Sequence, residues 1–259
     1  MALTIEQKSH IQQVIKTALR NKFASYEPKD NYMPFQFRLL GKDRLALHSF
    51  LHSLLTNFGS AIFEPVAVEL AKNNFKNAKT QYIVGNEIFS NCQNKITEIV
   101  NDLNIGGTPN KLENLKLLKS NLFGKITKVN PPKVDLFLED KNGELFLFDL
   151  KTAKPNKGDF EKFKQTLLTW AGIIFTKDKN VKVNTLLGIP YNPFYPKPYK
   201  TWTMRSMIDT NQELKVAEEF WDFLGGQGAY NELLDCFEQA GIELRPEIDN
   251  YFARYNNNR

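Results

Sequence analysis

The segment VDLFLEDKNGELFLFDLK, residues 134–151, decides how this chain folds. It contains two short apolar runs, 134–138 and 145–151, separated by a polar stretch that carries Lys141-Asn142-Gly143. Three-residue hairpin loops commonly place glycine in the left-handed conformation at their third position, and Gly143 fits that position. The segment therefore predicts a β-hairpin whose two strands are antiparallel neighbours.

The length of the loop fixes which residues face each other across the hairpin. A three-residue loop pairs Asp140 with Glu144, so that Asp135 lies directly opposite Asp149. Side chains repeat every two residues along a strand, and Lys151 therefore joins the two aspartates on one face. A two-residue Asn-Gly loop would place Asp135 on the other face, so this prediction depends on the loop length.

The pair of opposed aspartates indicates a metal site. Both strands are apolar on both sides, which predicts that they lie inside a sheet, where unpaired carboxylates cost several kcal/mol. A divalent cation held between Asp135 and Asp149 would remove that cost, and carboxylate oxygens suit Mg²⁺. Lys151 would then orient the attacking water and stabilise charge on a phosphate being cleaved. The alternative is a surface strand whose polar face happens to carry Asp and Lys.

The rest of the chain predicts helices around this hairpin. Apolar periodicity favours helices at 4–24, 42–57, about 61–77 and 86–102 before the hairpin, and at 159–175 after it. A buried strand follows at 181–189, then a proline-rich ordered loop at 190–202 and two or three acidic helices. This order predicts an α/β fold with a mixed central sheet flanked by helices. We expect one domain, with a helical part (1–110), a catalytic sheet core (about 111–190) and a recognition loop with an acidic helical tail (191–259).

Charge is distributed unevenly along the 259 residues, whose formal net charge is +5. Residues 111–133 hold six lysines against one glutamate, whereas residues 206–259 hold 11 acidic and four basic residues, a net of −7. A basic body with an acidic tail favours one surface for a polyanion and another that faces away from it, although solvated lysine faces explain the same numbers. Cys92 and Cys236 lack metal-ligand spacing and are predicted to be reduced core thiols. Without a signal-peptide pattern or an apolar run of membrane-spanning length, we expect a cytoplasmic chain with no membrane contact.

Four blocks of sequence resemble a known family. They are GSAIFE (59–64), FDLKTAKPNKG (148–158), PYNP (190–193) and FWDFLGG (220–226). Asp135, the gap of fourteen residues to Asp149, and Lys151 resemble the signature of PD-(D/E)XK nucleases, although Lys133-Val134 separate Pro132 from the first aspartate. The blocks resemble more specifically the TdeIII-like type II restriction endonucleases, which are associated with GGNCC sites.

This resemblance implies a restriction-endonuclease-like core and a type II endonuclease that hydrolyses double-stranded DNA with Mg²⁺ at a short palindrome. It implies a third acid from an earlier helix, for which Glu64 is the better match and Glu69 the reserve. It also implies a homodimer and a DNA methyltransferase in the same system, without a stable complex between them. The side chains expected to contact DNA are Lys154, Lys157 and Lys164, which follow the catalytic strand, and Lys197, Lys200 and Arg205, which lie on or beside the proline-rich loop.

Other chemistries have weaker support. His48 and His52 stand one helical turn apart, but the sequence offers no evident third metal ligand. The glycines at 225–228 lie between helices and lack a preceding strand, which favours a break between helices over a phosphate loop. Two rival functions stay open: a repair or recombination nuclease of the same fold, and a non-catalytic DNA-binding protein with a degenerate site.

Overall fold

The computed structural model describes residues 2–27, 33–151, 155, 157–199, 204 and 206–256, without the side chains of Lys42, Lys157 and residues 254–256. The strands are β1 (Asn77–Tyr82), β2 (Glu87–Phe89), β3 (Ile126–Lys128), β4 (Val134–Glu139), β5 (Leu145–Leu150), β6 (Val183–Ile189) and β7 (Leu214–Val216). The α-helices are α1 (Ile5–Ser25), α2 (Pro34–Leu40), α3 (Lys42–Phe58), α4 (Glu64–Ala71), α5 (Ser90–Asn104), α6 (Lys111–Ser120), α7 (Phe160–Lys177), α8 (Glu218–Gly225) and α9 (Ala229–Asn256).

The predicted hairpin forms the centre of a mixed sheet. Among the described residues the main sheet has five strands in the order β1-β4-β5-β6-β7. β4 is antiparallel to both β1 and β5, whereas β6 runs parallel to β5 and β7 runs parallel to β6. Helix α7 connects the parallel strands β5 and β6, as a crossover connection requires. The predicted fold class, α/β with a mixed central sheet flanked by helices, is confirmed.

Both faces of the hairpin are buried, as its apolar residues on both sides predict. Leu136 and Phe148 point into a core formed with α1, α4, α8 and α9. Phe137 and Leu147 point into the opposite core, formed with α5, α6 and α7. Cys92 and Cys236 are free and buried in these two cores, as expected. Among the described residues, no helix has the length and apolarity that crossing a membrane requires.

Several predicted boundaries in the N-terminal half are wrong. The helix expected to reach residue 77 ends at Ala71, and β1 follows it. β2 occupies residues that the prediction assigned to the start of the next helix, and α2 occupies part of the expected loop around Pro34. β1 is largely polar and becomes a strand through its pairing with β4, which propensity does not reveal. The first 110 residues are therefore not purely helical.

The sequence predicts an interruption at Gly59-Ser60, between the helices at 42–57 and about 61–77, and the structure has no interruption there. Residues Gly59–Phe63 form a π-helical turn that joins α3 to α4 without an interruption of the helical path. Pro65 lies in the first turn of α4, where it has no N–H to donate back to the π-helical turn, whereas the N–H of Glu64 donates to the Gly59 carbonyl. Glu64 is therefore the first residue of α4, but it continues a helical path that begins earlier.

The acidic tail is partly neutralised within the chain. Helix α9 packs along α1, and ion pairs between side chains of the two helices join them. They are Lys8–Glu232 at 2.7 Å, Lys16–Glu243 at 2.6 Å and Arg20–Glu247 at 2.6 Å. These acids therefore stabilise contacts within the subunit.

A buried ion pair anchors β7 beneath α7. The side chains of Lys164 and Glu213 are 0% and 1% exposed, and the Lys164 ammonium lies 2.7 and 2.8 Å from the two carboxylate oxygens of Glu213. The backbone N–H of Asp209 donates to the same carboxylate, and the backbone of Glu213 bonds to Leu187 in β6. Nearby, burial lowers the pKa of Lys111 to about 8. The pair connects α7 and β6 to the segment that follows the proline-rich loop.

We expect Glu213→Gln to lower the free energy of unfolding by about 3–5 kcal/mol, because it leaves the Lys164 ammonium buried without a counter-charge. Urea unfolding measures this loss. The double variant Lys164→Met/Glu213→Leu is expected to recover most of it, since both charges are removed together. The matched control, Glu243→Gln, breaks a solvated ion pair and is expected to cost less than about 1 kcal/mol. Equal losses in Glu213→Gln and Glu243→Gln would contradict this assignment.

Candidate active site

The hairpin has the register that its turn predicts. Leu136 pairs with Phe148 and Glu139 with Leu145, so the same register carries Asp135 to the position opposite Asp149. Gly143 has φ +82°, and the backbone N–H of Asp140 donates to the Glu144 carbonyl at 2.9 Å. The three-residue loop and the register are therefore confirmed. They bring the two aspartates together at the open end of the hairpin.

The two aspartates differ in their surroundings. Asp149 is 7% exposed, whereas Asp135 is partly exposed and accepts a hydrogen bond from the backbone N–H of Leu150 at 2.8 Å. Burial raises the pKa of Asp149 to about 7, and the charge of Asp135 acts in the same direction, while Lys151 opposes both. A carboxyl group whose charge is this costly gains from any cation that enters the site.

Lys151 is held between Asp149 and an aromatic ring. Its Nζ lies 2.6 Å from Asp149 Oδ1 and 4.5 Å from the centroid of Phe163 in α7. The ammonium therefore has an ion pair on one side and a cation–π contact on the other, while about a quarter of the side chain stays exposed. The apolar periodicity that predicts the helix at 159–175 places Phe163 on the apolar face of that helix and indicates nothing more about it. Its contact with Lys151 depends on the path of the chain after β5, which periodicity does not give.

Glu64 approaches the aspartates from α4. It is 6% exposed, and its Oε2 accepts a hydrogen bond from Gln81 Nε2 at 2.9 Å. Burial raises the pKa of Glu64; the bond from Gln81 lowers it, and the charge of Asp135 raises it further. Glu69 lies elsewhere, in contact with Lys72 and with His10 at 3.3 Å. The geometry therefore supports Glu64, not Glu69, as the third acid.

Glu64, Asp135 and Lys151 border one cleft of about 710 Å³, and the buried Asp149 lies behind them in contact with Lys151. Glu64, Asp135 and Lys151 form its polar side, while Leu55 and Tyr191 belong to an apolar side. The loop that begins at Pro190 forms part of this apolar side, so the recognition loop and the acidic residues face the same space.

The donor set fits a hard divalent cation. All three acids offer oxygen atoms, which Mg²⁺ prefers over nitrogen or sulfur. Within the described ranges, no group of three His, Cys, Asp or Glu side chains is arranged to hold an ion by itself. Mg²⁺ usually keeps several waters and takes one or two carboxylates plus a substrate phosphate, so the two hairpin aspartates satisfy its usual protein share. His48 and His52 are exposed, with ring centroids 6.4 Å apart, and among the described residues no third metal-ligating side chain joins them.

The structure describes the side chains of two of the six predicted DNA-contacting residues, Lys164 and Lys197. The expectation for Lys164 is wrong, because its ammonium is fully buried against Glu213 and has no route to a phosphate. Lys197 is exposed on the loop beyond the cleft wall. Lys154, Lys200 and Arg205, as well as the side chain of Lys157, lie outside the described residues. Lys164 was expected near DNA because it follows β5 in the sequence, and the sequence does not reveal the buried glutamate that it contacts.

Comparisons of this sequence with known proteins identify relatives of the chain. A family model described as "Type II restriction endonuclease, HinfI" matches residues 3–241. The type II restriction enzyme MjaII of Methanocaldococcus jannaschii is 33% identical over 235 residues, which cover 83% of this chain and 61% of that enzyme. The type II restriction enzymes HgiEI and HgiBI of Herpetosiphon aurantiacus are 24% and 23% identical, each over 93% of this chain and 92% of the relative.

We expect Asp149→Asn to stabilise the metal-free protein at pH 8 by up to about 4 kcal/mol, at 1.36 kcal/mol per pKa unit. An acid with a raised pKa contributes stability that is fully present below its unfolded pKa of about 4 and is lost as the pH rises through about 7. The gain should therefore shrink as the pH falls from 8 towards 4. Thermal unfolding in chelator at several pH values measures it.

Asp140→Asn is the control of opposite sign. Hydrogen bonds from the backbone N–H groups of Glu144 and Asn142 lower the pKa of Asp140, so this variant should lose stability at pH 8 and recover as the pH falls. If Asp149→Asn melts below the wild-type protein at pH 8 without metal, the buried like-charge pair does not carry the cost assigned to it.

Proposed function

The chain belongs to the HinfI family of type II restriction endonucleases, and on that premise we propose that it cleaves double-stranded DNA with a Mg²⁺-dependent PD-(D/E)XK centre. The observation that carries the proposal is the convergence of Asp135, Asp149 and Lys151 at one end of the hairpin, beside an open cleft. The chain spans 61% of the length of the MjaII enzyme, so the activity and substrate of that whole protein are assigned to this chain only as a proposal.

The role of each side chain follows from its surroundings. Asp135 and Asp149 would hold the cation, with Glu64 as the third acidic ligand, supplied by α4. When bound, Mg²⁺ supplies a Lewis acid that stabilises charge on the phosphate and lowers the pKa of a coordinated water. Lys151 holds a fixed positive charge next to Asp149, where it stabilises negative charge that develops on the phosphate oxygens. Phe163 restricts the position of that ammonium.

The proposed substrate is a short palindrome cut on both strands. The resemblance to TdeIII-like enzymes implies a site of the GGNCC type, and a two-fold homodimer reads such a site most simply, with one active site for each strand. Guanine offers N7 and O6 in the major groove, for which arginine and lysine are the usual partners. Lys197, Lys200 and Arg205 are the proposed base-reading side chains, and Lys154 and Lys157 are proposed to contact backbone phosphates.

Family membership weighs against the two rival functions. A repair or recombination nuclease of the same fold would act on DNA ends or branched structures, whereas a type II enzyme cuts closed circular DNA into discrete fragments. A degenerate DNA-binding protein would lack a complete acid–acid–lysine set. A cognate methyltransferase is expected in the same cell to protect the site, without a stable complex with this chain.

We expect Lys151→Ala to lower the rate of DNA cleavage about 10²–10³-fold, because it removes charge stabilisation that matters most in the transition state. DNA binding in Ca²⁺ should stay close to that of the wild-type protein. The measurement is single-turnover cleavage of a supercoiled plasmid with Mg²⁺. Lys141→Ala is the matched control, since Lys141 is an exposed lysine at the turn of the same hairpin. Asp135→Asn should be inactive. Cleavage by Lys151→Ala at the wild-type rate would remove Lys151 from the site.

We expect sequencing of the ends of a digested plasmid to return one palindrome at every cut, of the GGNCC type. Omission of Mg²⁺ or addition of chelator should abolish the fragments. Arg205→Ala should weaken discrimination among sites more than it weakens binding to random DNA, whereas Lys157→Ala should weaken both and flatten the salt dependence. Breaks scattered without a shared sequence would reject the restriction-enzyme proposal, even if Mg²⁺ and Lys151 proved essential.

A further inference from the structure

Gln81 combines backbone strain with a position at the proposed active site. Its φ is +52°, in the left-handed region that residues other than glycine rarely adopt. Its neighbours Thr80 and Tyr82 keep the regular antiparallel register with Leu136 and Val134 of β4. Gln81 therefore faces Asp135 across the strand pair, on the side of that aspartate opposite to Asp149.

The side chain of Gln81 connects two of the proposed metal ligands. Its Nε2 donates to Glu64 Oε2 at 2.9 Å and lies 3.5 Å from Asp135 Oδ1. Glu64 comes from α4 and Asp135 from β4, so this amide is a link between a helix and a strand that each bring one acid. Two carboxylates near each other repel when no cation is present, and a neutral group with two N–H donors can hold both without adding charge.

The chemistry of an amide suits this task better than that of a charged side chain. A lysine or arginine here would neutralise the acids and compete with the cation, whereas a carboxylate would increase the repulsion. Glycine would fit the left-handed backbone without strain, so a glutamine at this position has a conformational cost that glycine avoids. A strained residue whose side chain contacts two acids of the cleft points to a use for that side chain.

We propose that Gln81 is a positioning residue that holds Glu64 and Asp135 at the spacing needed to bind the divalent cation. This inference rests on the function proposed above, because it assumes that the two acids bind metal. Gln81 itself needs no contact with the reacting atoms. Its effect is on the affinity for the cation, since the acids are already oriented before the cation arrives.

Gln81→Gly tests the proposal, because it removes the amide and relieves the strained φ at the same time. We expect the affinity of the full chain for Mn²⁺, measured by calorimetry without DNA, to fall about 10–100-fold. The Mg²⁺ concentration for half-maximal plasmid cleavage should rise by a similar factor, while the rate at saturating Mg²⁺ returns towards that of the wild-type protein. Gln81→Asn keeps an amide and tolerates the left-handed backbone, but its shorter side chain does not span the two acids, so it should show the same loss.

Ala217→Gly is the matched control. Ala217 also has a positive φ, +50°, but it lies at the start of α8, away from the three acids. It should gain stability without any change in Mn²⁺ affinity. If Gln81→Gly and Gln81→Asn bind Mn²⁺ as the wild-type protein does, the positioning role is wrong. If the wild-type protein itself neither binds Mn²⁺ nor cleaves DNA, the proposed function fails first, so the two failures are distinguishable.

Discussion

The opposition of Asp135 and Asp149 on adjacent strands is the constraint on which the rest of the site depends. Like charges on neighbouring strands destabilise a sheet, and burial makes the cost larger for Asp149. The pairing persists because the apolar residues on both faces of the hairpin and the Gly143 turn fix its register. A one-residue slip would turn every apolar side chain to the opposite face. Packing energy across the whole hairpin therefore holds an unfavourable pair of charges in place.

The surrounding groups moderate this charge without cancelling it. Lys151 pairs with Asp149 and lies over Phe163, while Gln81 bridges Asp135 and Glu64. Three acids against one nearby lysine leave an excess of negative charge at the mouth of the cleft, which attracts a cation but repels DNA. A bound divalent cation reverses that balance, so the arrangement favours metal binding before, or together with, the DNA phosphate.

The β4–β5 hairpin could be predicted from sequence because its information is local. The glycine of the turn gives the loop length, and the period of two along each strand then places Asp135, Asp149 and Lys151 on one face without tertiary knowledge. β1 could not be predicted in this way, because its polar residues form a strand only beside β4. Gln81 was missed with it. Lys164 was misjudged for a related reason: its partner Glu213 lies 49 residues away, and only the fold shows that the lysine is buried.

The most direct test of the two-aspartate metal centre is anomalous diffraction from crystals of the full chain soaked in Mn²⁺. The geometry predicts a peak between the Asp135 and Asp149 carboxylates, within about 2.0–2.2 Å of an oxygen from each, given the short bonds that octahedral cations of this size form. Lys151 Nζ should then have moved off Asp149 Oδ1 while it stays over the Phe163 ring. A peak located elsewhere, or none at saturating Mn²⁺ with Lys151 still bound to Asp149, would contradict the assignment of these aspartates as the metal ligands.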